Sequence, residues 1–321
     1  MDTIDYAKSY KPAGSPVQEV NDPTLKGSGV RLLIKRDDLI HEHISGNKWR
    51  KLKHNISEAI HQNHHTILTF GGAYSNHISA TAYTCKKVGL ESIGIIRGED
   101  DSTNPTLNFA RENGMQLEFV SREDYRRKNE DEFLDELEQR FGRFFLVPEG
   151  GANGLGVRGC AEILSEVEEQ FDIVCCAAGT ATTLAGLAIT LKENQKLIGF
   201  PTLKGGGFLK EEAERLIGES RLVSLSVVEG SNGFDCAQPS FELTTDYHFG
   251  GYAKLKPELL EFINGFTERT GIPLDPIYTS KMMFGMYDLI LKGHFASGTT
   301  ILAVHTGGLQ GWQGMKHRGL V

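Results

Sequence analysis

Lys48 is the residue of this chain best placed to do chemistry. It lies in Ser45-Gly46-Asn47-Lys48-Trp49-Arg50-Lys51-Leu52, between a glycine-bearing turn and an amphipathic run, Trp49 to Ile60, whose spacing predicts a helix. A lysine at a helix start sits at the positive end of the dipole, where losing the proton costs less than elsewhere. The neutral amine is a nucleophile suited to Schiff-base chemistry. Spacing alone favours a plainer reading, a solvated basic face made of Lys48, Arg50, Lys51 and Lys53.

Two glycine-bearing loops supply groups that could hold anions. Ala178-Gly179-Thr180-Ala181-Thr182-Thr183 leaves an apolar run and enters a helix, so backbone N–H groups and three threonine hydroxyls converge at a positive helix end. It lacks the lysine of a nucleotide-binding P-loop, so a monophosphate is the better fit. Gly71-Gly72-Ala73-Tyr74-Ser75-Asn76-His77 also runs from strand to helix, and Ser75, Asn76 and His77 with nearby backbone donors could take a carboxylate. Without ligands, both loops read as helix caps. A third segment, Gly154-Leu155-Gly156-Val157-Arg158-Gly159, fits the dinucleotide fingerprint. That fingerprint also wants an acidic residue about 20 positions on, at the end of the next strand. Asp172 instead begins its strand, which places it at the wrong edge of the sheet, so a nicotinamide-dependent oxidoreductase stays only as a remote alternative. His41 with His43, and His61 with His64 and His65, lack carboxylate or cysteine partners at ligand spacing, and no metal is assigned.

The elements that must position these groups alternate. Up to about Gly29 the chain reads as a wrapping loop. Strands are expected at Val30 to Lys35, Thr66 to Phe70, Ser92 to Arg97, Gln116 to Val120, Phe144 to Pro148, Asp172 to Ala178, Lys196 to Pro201, Leu222 to Val227 and Thr300 to His305. Between them, helices are expected from Ser75 to about Lys87, at Asn104 to Asn113, Glu130 to Phe141, Arg158 to Gln170, Thr182 to Lys192, Lys210 to Ile217, Pro257 to Thr270 and Ser280 to Lys292. This is the pattern of an α/β protein with parallel sheets and crossover helices. At 321 residues the chain can hold two domains with sizeable cores. A net charge of -8 and no long basic tract argue against a nucleic-acid or membrane surface. No signal peptide and no apolar run near roughly 20 residues point to the cytoplasm. The odd count of five cysteines, with no ligand spacing, reads as buried free thiols.

Asp37-Asp38-Leu39 followed by Gly46-Asn47-Lys48-x-Arg50-Lys51-Leu52 resembles the pyridoxal-phosphate enzymes of the tryptophan synthase β-subunit superfamily (fold type II). It is most similar to the branch that holds 1-aminocyclopropane-1-carboxylate (ACC) deaminase and D-cysteine desulfhydrase, and the likeness runs over nearly the whole chain. The resemblance implies two domains, each a mostly parallel twisted sheet flanked by helices, with pyridoxal 5'-phosphate in the cleft between them. A smaller domain, 53–164, would be inserted into a larger one built from 1–52 and 165–321. Lys48 would carry the cofactor, and Gly179, Thr180, Ala181, Thr182 and Thr183 would cradle its phosphate, with Ala181 and Thr182 where the family has glycines. Asn76 and Thr306, the latter in His305-Thr306-Gly307-Gly308, would contact the ring. Ser75, Asn76 and His77 would take the substrate carboxylate, although Ala73-Tyr74 and Ser79 depart from the usual residues there. Tyr278, in Asp275-Pro276-Ile277-Tyr278, would be an active-site tyrosine, and Tyr252 a second one at the substrate. Catalysis would fall to Lys48, Ser75 and Tyr278.

A small amino acid is the implied substrate and a homodimer the implied assembly. ACC deaminases place a glutamate after the tyrosine, whereas this chain has Thr279, as desulfhydrases of the branch do. Elimination from D-cysteine, or a related β-substituted amino acid, to pyruvate, ammonia and sulfide is therefore favoured. The alternative is ACC deamination to 2-oxobutyrate and ammonia. A catalytically silent protein that binds pyridoxal phosphate is a further alternative.

Overall fold

A computed structural model describes residues 15–44, 46–227 and 241–321. Ser45 and Cys236 lie outside the described residues. In chain order come β1 (Val17–Glu19), β2 (Arg31–Lys35), α1 (Asn47–His61), β3 (Thr66–Gly72), α2 (Asn76–Val88), β4 (Glu91–Arg97), α3 (Pro105–Glu112), β5 (Met115–Val120), α4 (Arg122–Arg126), α5 (Asp131–Phe141) and β6 (Phe145–Val147). They are followed by α6 (Gly154–Ser165), β7 (Ile173–Ala178), α7 (Thr182–Ala188), β8 (Lys196–Pro201), α8 (Leu209–Val227), β9 (Phe241–Leu243), α9 (Pro257–Thr270), α10 (Thr279–Leu291), β10 (Thr300–Val304) and α11 (Gly311–His317).

The strands form two sheets, of order β1-β2-β10-β7-β8-β9 and β5-β4-β3-β6. Every pairing is parallel except that of β1 with β2. A parallel sheet is covered on both faces, so its central strands are apolar throughout, as β7 is at all of its positions. Alternation then sends neighbours to opposite cores. Leu32, Ile34, Cys175 and Ala303 pack with α9 and α10, whereas Leu33, Val174, Cys176 and Leu302 pack with α6, α7 and α8. Cys85, Cys160, Cys175 and Cys176 are buried free thiols. No helix among the described residues is long and apolar enough to cross a membrane.

Three expectations change. Val17–Glu19 forms an edge strand in the segment read as a wrapping loop. Leu222 to Val227 is not a strand but the end of α8, a helix of 19 residues. A short apolar run fits either period, and only Gly218, which a helix tolerates, interrupts this one. The helix expected at Arg158 to Gln170 spans Gly154–Ser165, because the Asn153 side chain accepts the Gly156 N–H at 2.9 Å and starts it early.

That early start gives the Gly154 segment its meaning. A Cβ on Gly159 would lie 1.8 Å from the Arg50 carbonyl oxygen of α1, and one on Gly156 2.2 Å from the Gly151 carbonyl oxygen. These glycines let α6 approach its neighbours backbone to backbone. Val157, Cys160, Ile163 and Leu164 of α6 join the core of the large sheet, while Trp49, Leu52 and Ile56 of α1 pack with Ile67 and Val147 of the small one. The two helices thus form the seam between the sheets.

Candidate active site

The loops at the C-terminal ends of β3, β4, β7 and β10 open onto one cleft of about 790 Å³, together with the start of α1. A parallel sheet offers its ligand groups at that edge, and the volume suits a small ligand. Among the described residues in its lining are Lys48, Ser75, Asn76, His77, Gly179, Thr180, Ala181, Thr183, Tyr252, Tyr278 and Thr306.

Gly46, the N-cap of α1, has φ +65°, and a Cβ there would fall 1.8 Å from the Thr306 carbonyl oxygen. Glycine allows the Asn47 N–H to donate to that carbonyl at 3.2 Å, which ties the lysine segment to the exit of β10. The Asn47 amide then reaches both ways. Its Oδ1 accepts from Lys48 Nζ at 3.0 Å, and its Nδ2 donates to Thr183 Oγ1 at 3.0 Å. Burial and, second, the neighbouring Lys51 ammonium hold Lys48 down to about 7. The helix dipole named from sequence is therefore not the leading cause.

Lys51 is a candidate site residue that sequence reading missed. It lines the cleft, is buried, and donates from Nζ to Thr180 Oγ1 at 3.1 Å. Burial lowers its pKa. The available signal was its offset of three residues from Lys48, which puts both on one helix face. Beside it, Ala181 takes φ +54°, so the loop keeps a left-handed turn without the glycine that favours one. The first intrahelical bond of α7 runs from Ala185 N–H to Ala181 C=O, so the Thr183 and Leu184 N–H groups precede the ladder, open to an anion.

Thr182 differs from its expected role in the cradle. It is fully buried and outside the cleft lining, with its N–H directed to Thr180 C=O and its hydroxyl 3.2 Å from the same oxygen. It shapes the turn from behind.

On the facing wall Ser75 caps α2, its Oγ accepting the N–H groups of His77 and Ile78. Asn76 lies against the β10 exit, since a Cβ on Gly308 would come 3.0 Å from Asn76 Nδ2. The His77 ring departs from the expectation of a carboxylate donor. Thr69 donates its hydroxyl proton to Val147 C=O at 2.7 Å, so it must accept from His77 Nε2–H at 2.9 Å. Burial first, then Lys48 and Lys51, push His77 well below its ordinary range, and the neutral ring keeps Nδ1 as a bare acceptor. It has no proton left for a carboxylate.

Tyr278 packs against the anion loop, where a Cβ on Gly179 would sit 3.0 Å from its ring. Its ring meets that of Tyr252 edge to face at 6.0 Å, and burial, with Tyr252 next, pushes its pKa well up, so it stays protonated. The fully buried Asp275 sets this tyrosine by accepting the N–H groups of Ile277, Tyr278 and Thr279 at 2.7–2.9 Å. His305 fixes the turn that carries Thr306, with Nε2 donating to Pro273 C=O and Nδ1 accepting the Gly307 N–H. The buried Thr279 hydroxyl has no partner among the described residues. Asp288, the carboxylate of α10, is outside the cleft lining and is held by Tyr247 and Lys292.

These groups fit a phosphorylated aldehyde: a lysine amine poised near neutrality, a second lysine beside a loop of open N–H donors, and a buried hydroxyl still lacking a partner. No group of three or more potential metal ligands occurs among the described residues.

Comparison with known proteins agrees. The chain is 32% identical over 294 residues, 88% of its own length and 86% of the relative's, to a provisionally named ACC deaminase of Pyrococcus horikoshii. It is 30% identical over 292 residues, 87% of each chain, to D-cysteine desulfhydrase of Klebsiella pneumoniae. The crystal structure of an ACC deaminase homologue superposes over 100% of both chains with a TM-score of 0.80 and 28% identity. Residues 9–307 match the sequence profile of the pyridoxal-phosphate dependent enzymes, and the chain belongs to that family.

Proposed function

We propose that this enzyme eliminates the β-substituent of D-cysteine, or of a related small amino acid, to give a 2-oxo acid and ammonia. D-Cysteine and water would yield pyruvate, ammonia and sulfide. The observation that carries the reading is the meeting in one cleft of a near-neutral Lys48 with an anion cradle backed by Lys51.

Bound pyridoxal phosphate supplies the electron sink for a carbanion at Cα. The residues do the rest. Gly179, Thr180, Ala181 and Thr183, with Lys51, would hold the phosphate, and Thr306 and Asn76 would border the ring. Ser75 and Asn76 orient the substrate carboxylate. Lys48 Nζ, a base at neutral pH, accepts the Cα proton. Protonated Tyr278 offers a proton to the departing group, with Tyr252 as its partner toward solvent.

Turnover of ACC is the second reading, supported by the names of relatives on that side of the branch. The chemistry of the cleft favours elimination. Among the described lining residues Glu149 is the one carboxylate, and it is paired with Lys128 at 3.4 Å. Thr279 after the tyrosine offers a neutral hydroxyl where a carboxylate would favour a protonated ring, so a cofactor held here would be the weaker sink. That is adequate for a good leaving group and poor for opening an unactivated carbon ring. Steady-state kinetics on both substrates decides between the readings. Faster 2-oxobutyrate formation from ACC than pyruvate from D-cysteine would reverse them.

We also propose a smaller unit inserted between α1 and α6. The core packing of α6 supports a second boundary before Gly154 instead of at 164. A homodimer remains our expectation, to be checked by light scattering.

A further inference from the structure

The cleft carries more positive charge than the proposed reaction uses. Lys48, Lys51, Arg97, Arg122, Lys254 and Arg318 line it, against Glu149 as the single carboxylate among the described lining residues, in a protein whose net charge is -8. Lys48 and Lys51 belong to the cofactor, and Glu149 is held by Lys128. Four cations at the mouth are left without an assigned use.

Three of them are arginines in no ion pair among the described residues, as are Arg126, Arg143 and Arg158 outside the cleft, while Arg31, Arg36, Arg50, Arg111, Arg127, Arg140, Arg215 and Arg269 have carboxylate partners. Two of the three are held by aromatic rings instead. Arg97 lies over Tyr125 at 5.4 Å and Arg318 over Tyr74 at 5.8 Å. A guanidinium on an aromatic face keeps its N–H fork free for an oxyanion. Position matters as much as charge. Arg97 ends β4 in register with Gly72, and a Cβ on Gly72 would lie 3.8 Å from its Nη2. Gly72 opens the loop that carries Ser75, so this guanidinium stands beside the expected seat of the substrate carboxylate. Arg318 meets the same loop through Tyr74.

We propose that the mouth of the cleft is a subsite for a tetrahedral oxyanion on the β-carbon of the substrate, so that the preferred amino acids are phosphate or sulfate esters of serine. The inference rests on the elimination reading and narrows it. For the phosphate ester the Cα–H bond gives its proton to base, and the Cβ–O bond breaks with its electron pair leaving on phosphate. Water then releases ammonia, and the products are pyruvate, ammonia and phosphate. One-sign clefts concentrate oppositely charged substrates in a salt-dependent way, and arginine forks bind such oxyanions through paired hydrogen bonds.

The test compares kcat/KM for O-phosphoserine and O-acetylserine, in both configurations, using the cofactor-loaded enzyme and the variants Arg97→Gln, Arg122→Gln and Arg318→Gln. The wild type is expected to favour the phosphate ester at least tenfold at low salt, and the preference to collapse toward the acetyl ester's value in the combined variant. A wild type that prefers the acetyl ester, or a preference that survives all three substitutions, overturns the subsite. If neither ester nor D-cysteine gives a 2-oxo acid, the elimination reading fails, whereas turnover of D-cysteine alone rejects only the ester preference; in either case calorimetric titration with 2-amino-3-phosphonopropionate, which has no leaving group, still tests the arginines. Tenfold weaker binding in the variants supports the subsite, and equal affinity rejects it.

Discussion

Lys48 is one proton away from inertness. With burial holding its amine pKa down to about 7, the protonated form dominates below that pH and cannot attack an aldehyde, whereas the neutral form prevails above it. Mixing the cofactor-free protein with pyridoxal phosphate should give a near-visible absorption band whose rate of growth rises with pH through about 7, and Lys48→Ala should give none and no turnover. Lys51 should govern retention instead. Replacing it with Met removes a charge-assisted hydrogen bond of about 1.5–3 kcal/mol, so cofactor affinity should fall roughly 10- to 100-fold, read by equilibrium dialysis. Thr180→Asp should act in the same direction with little loss of folding stability, since the new carboxylate would take Lys51 as its counter-ion and repel the phosphate. Unchanged affinity in both variants would move the phosphate elsewhere. Lys48 was singled out by the family resemblance, where spacing alone favoured a solvated basic face; Lys51 was not singled out, because its partner Thr180 is 129 residues away. His77 and Thr182 misled for the same reason, since polarity shows in a sequence and the direction of a side chain does not.

Helices and strands were legible where periodicity ran long, as in α9, expected and found at Pro257–Thr270. They were lost where only contact decides, as in β1, whose three residues become a strand by pairing with β2. The Gly154 segment is the sharpest instance. Its glycine spacing satisfied the pattern for a pyrophosphate turn, yet its glycines serve the approach of two helices. Gly159→Ala should therefore destabilise the protein by about 1–3 kcal/mol through overpacking, because its methyl meets a backbone oxygen that cannot swing aside. Urea unfolding measures the loss. A fall in cofactor affinity should accompany it, since α1 carries Lys48 and Lys51. Ala at 159 with wild-type stability would mean that the helices stand farther apart than described.

The two sheets meet along the α1–α6 seam, and that seam is charged. Glu162 faces Lys53 and His54, and Glu166 faces Arg50 and Lys35. Burial raises the pKa of both carboxyls, but the hydrogen bonds of these partners outweigh it, taking Glu162 to about 2 and Glu166 below its ordinary value. Both pKa values are depressed from 4.5, so their contribution is present above about 4.5 and drains away as pH falls toward 2. The melting temperature should drop over that window, and Glu162→Gln should flatten the drop. An equal slope in that variant would place the acid sensitivity elsewhere. The order of the large sheet has a consequence in time. β10 is its last strand along the chain yet lies between β2 and β7, so during synthesis the two halves of that sheet wait for residues 300–304 before they can join. The small sheet waits for nothing, since β3 to β6 lie within one stretch, 66–147, and can pair as soon as it emerges. A nascent chain thus holds one finished wall of the cleft long before the other, and its cofactor has nowhere to settle until the final strand is in place.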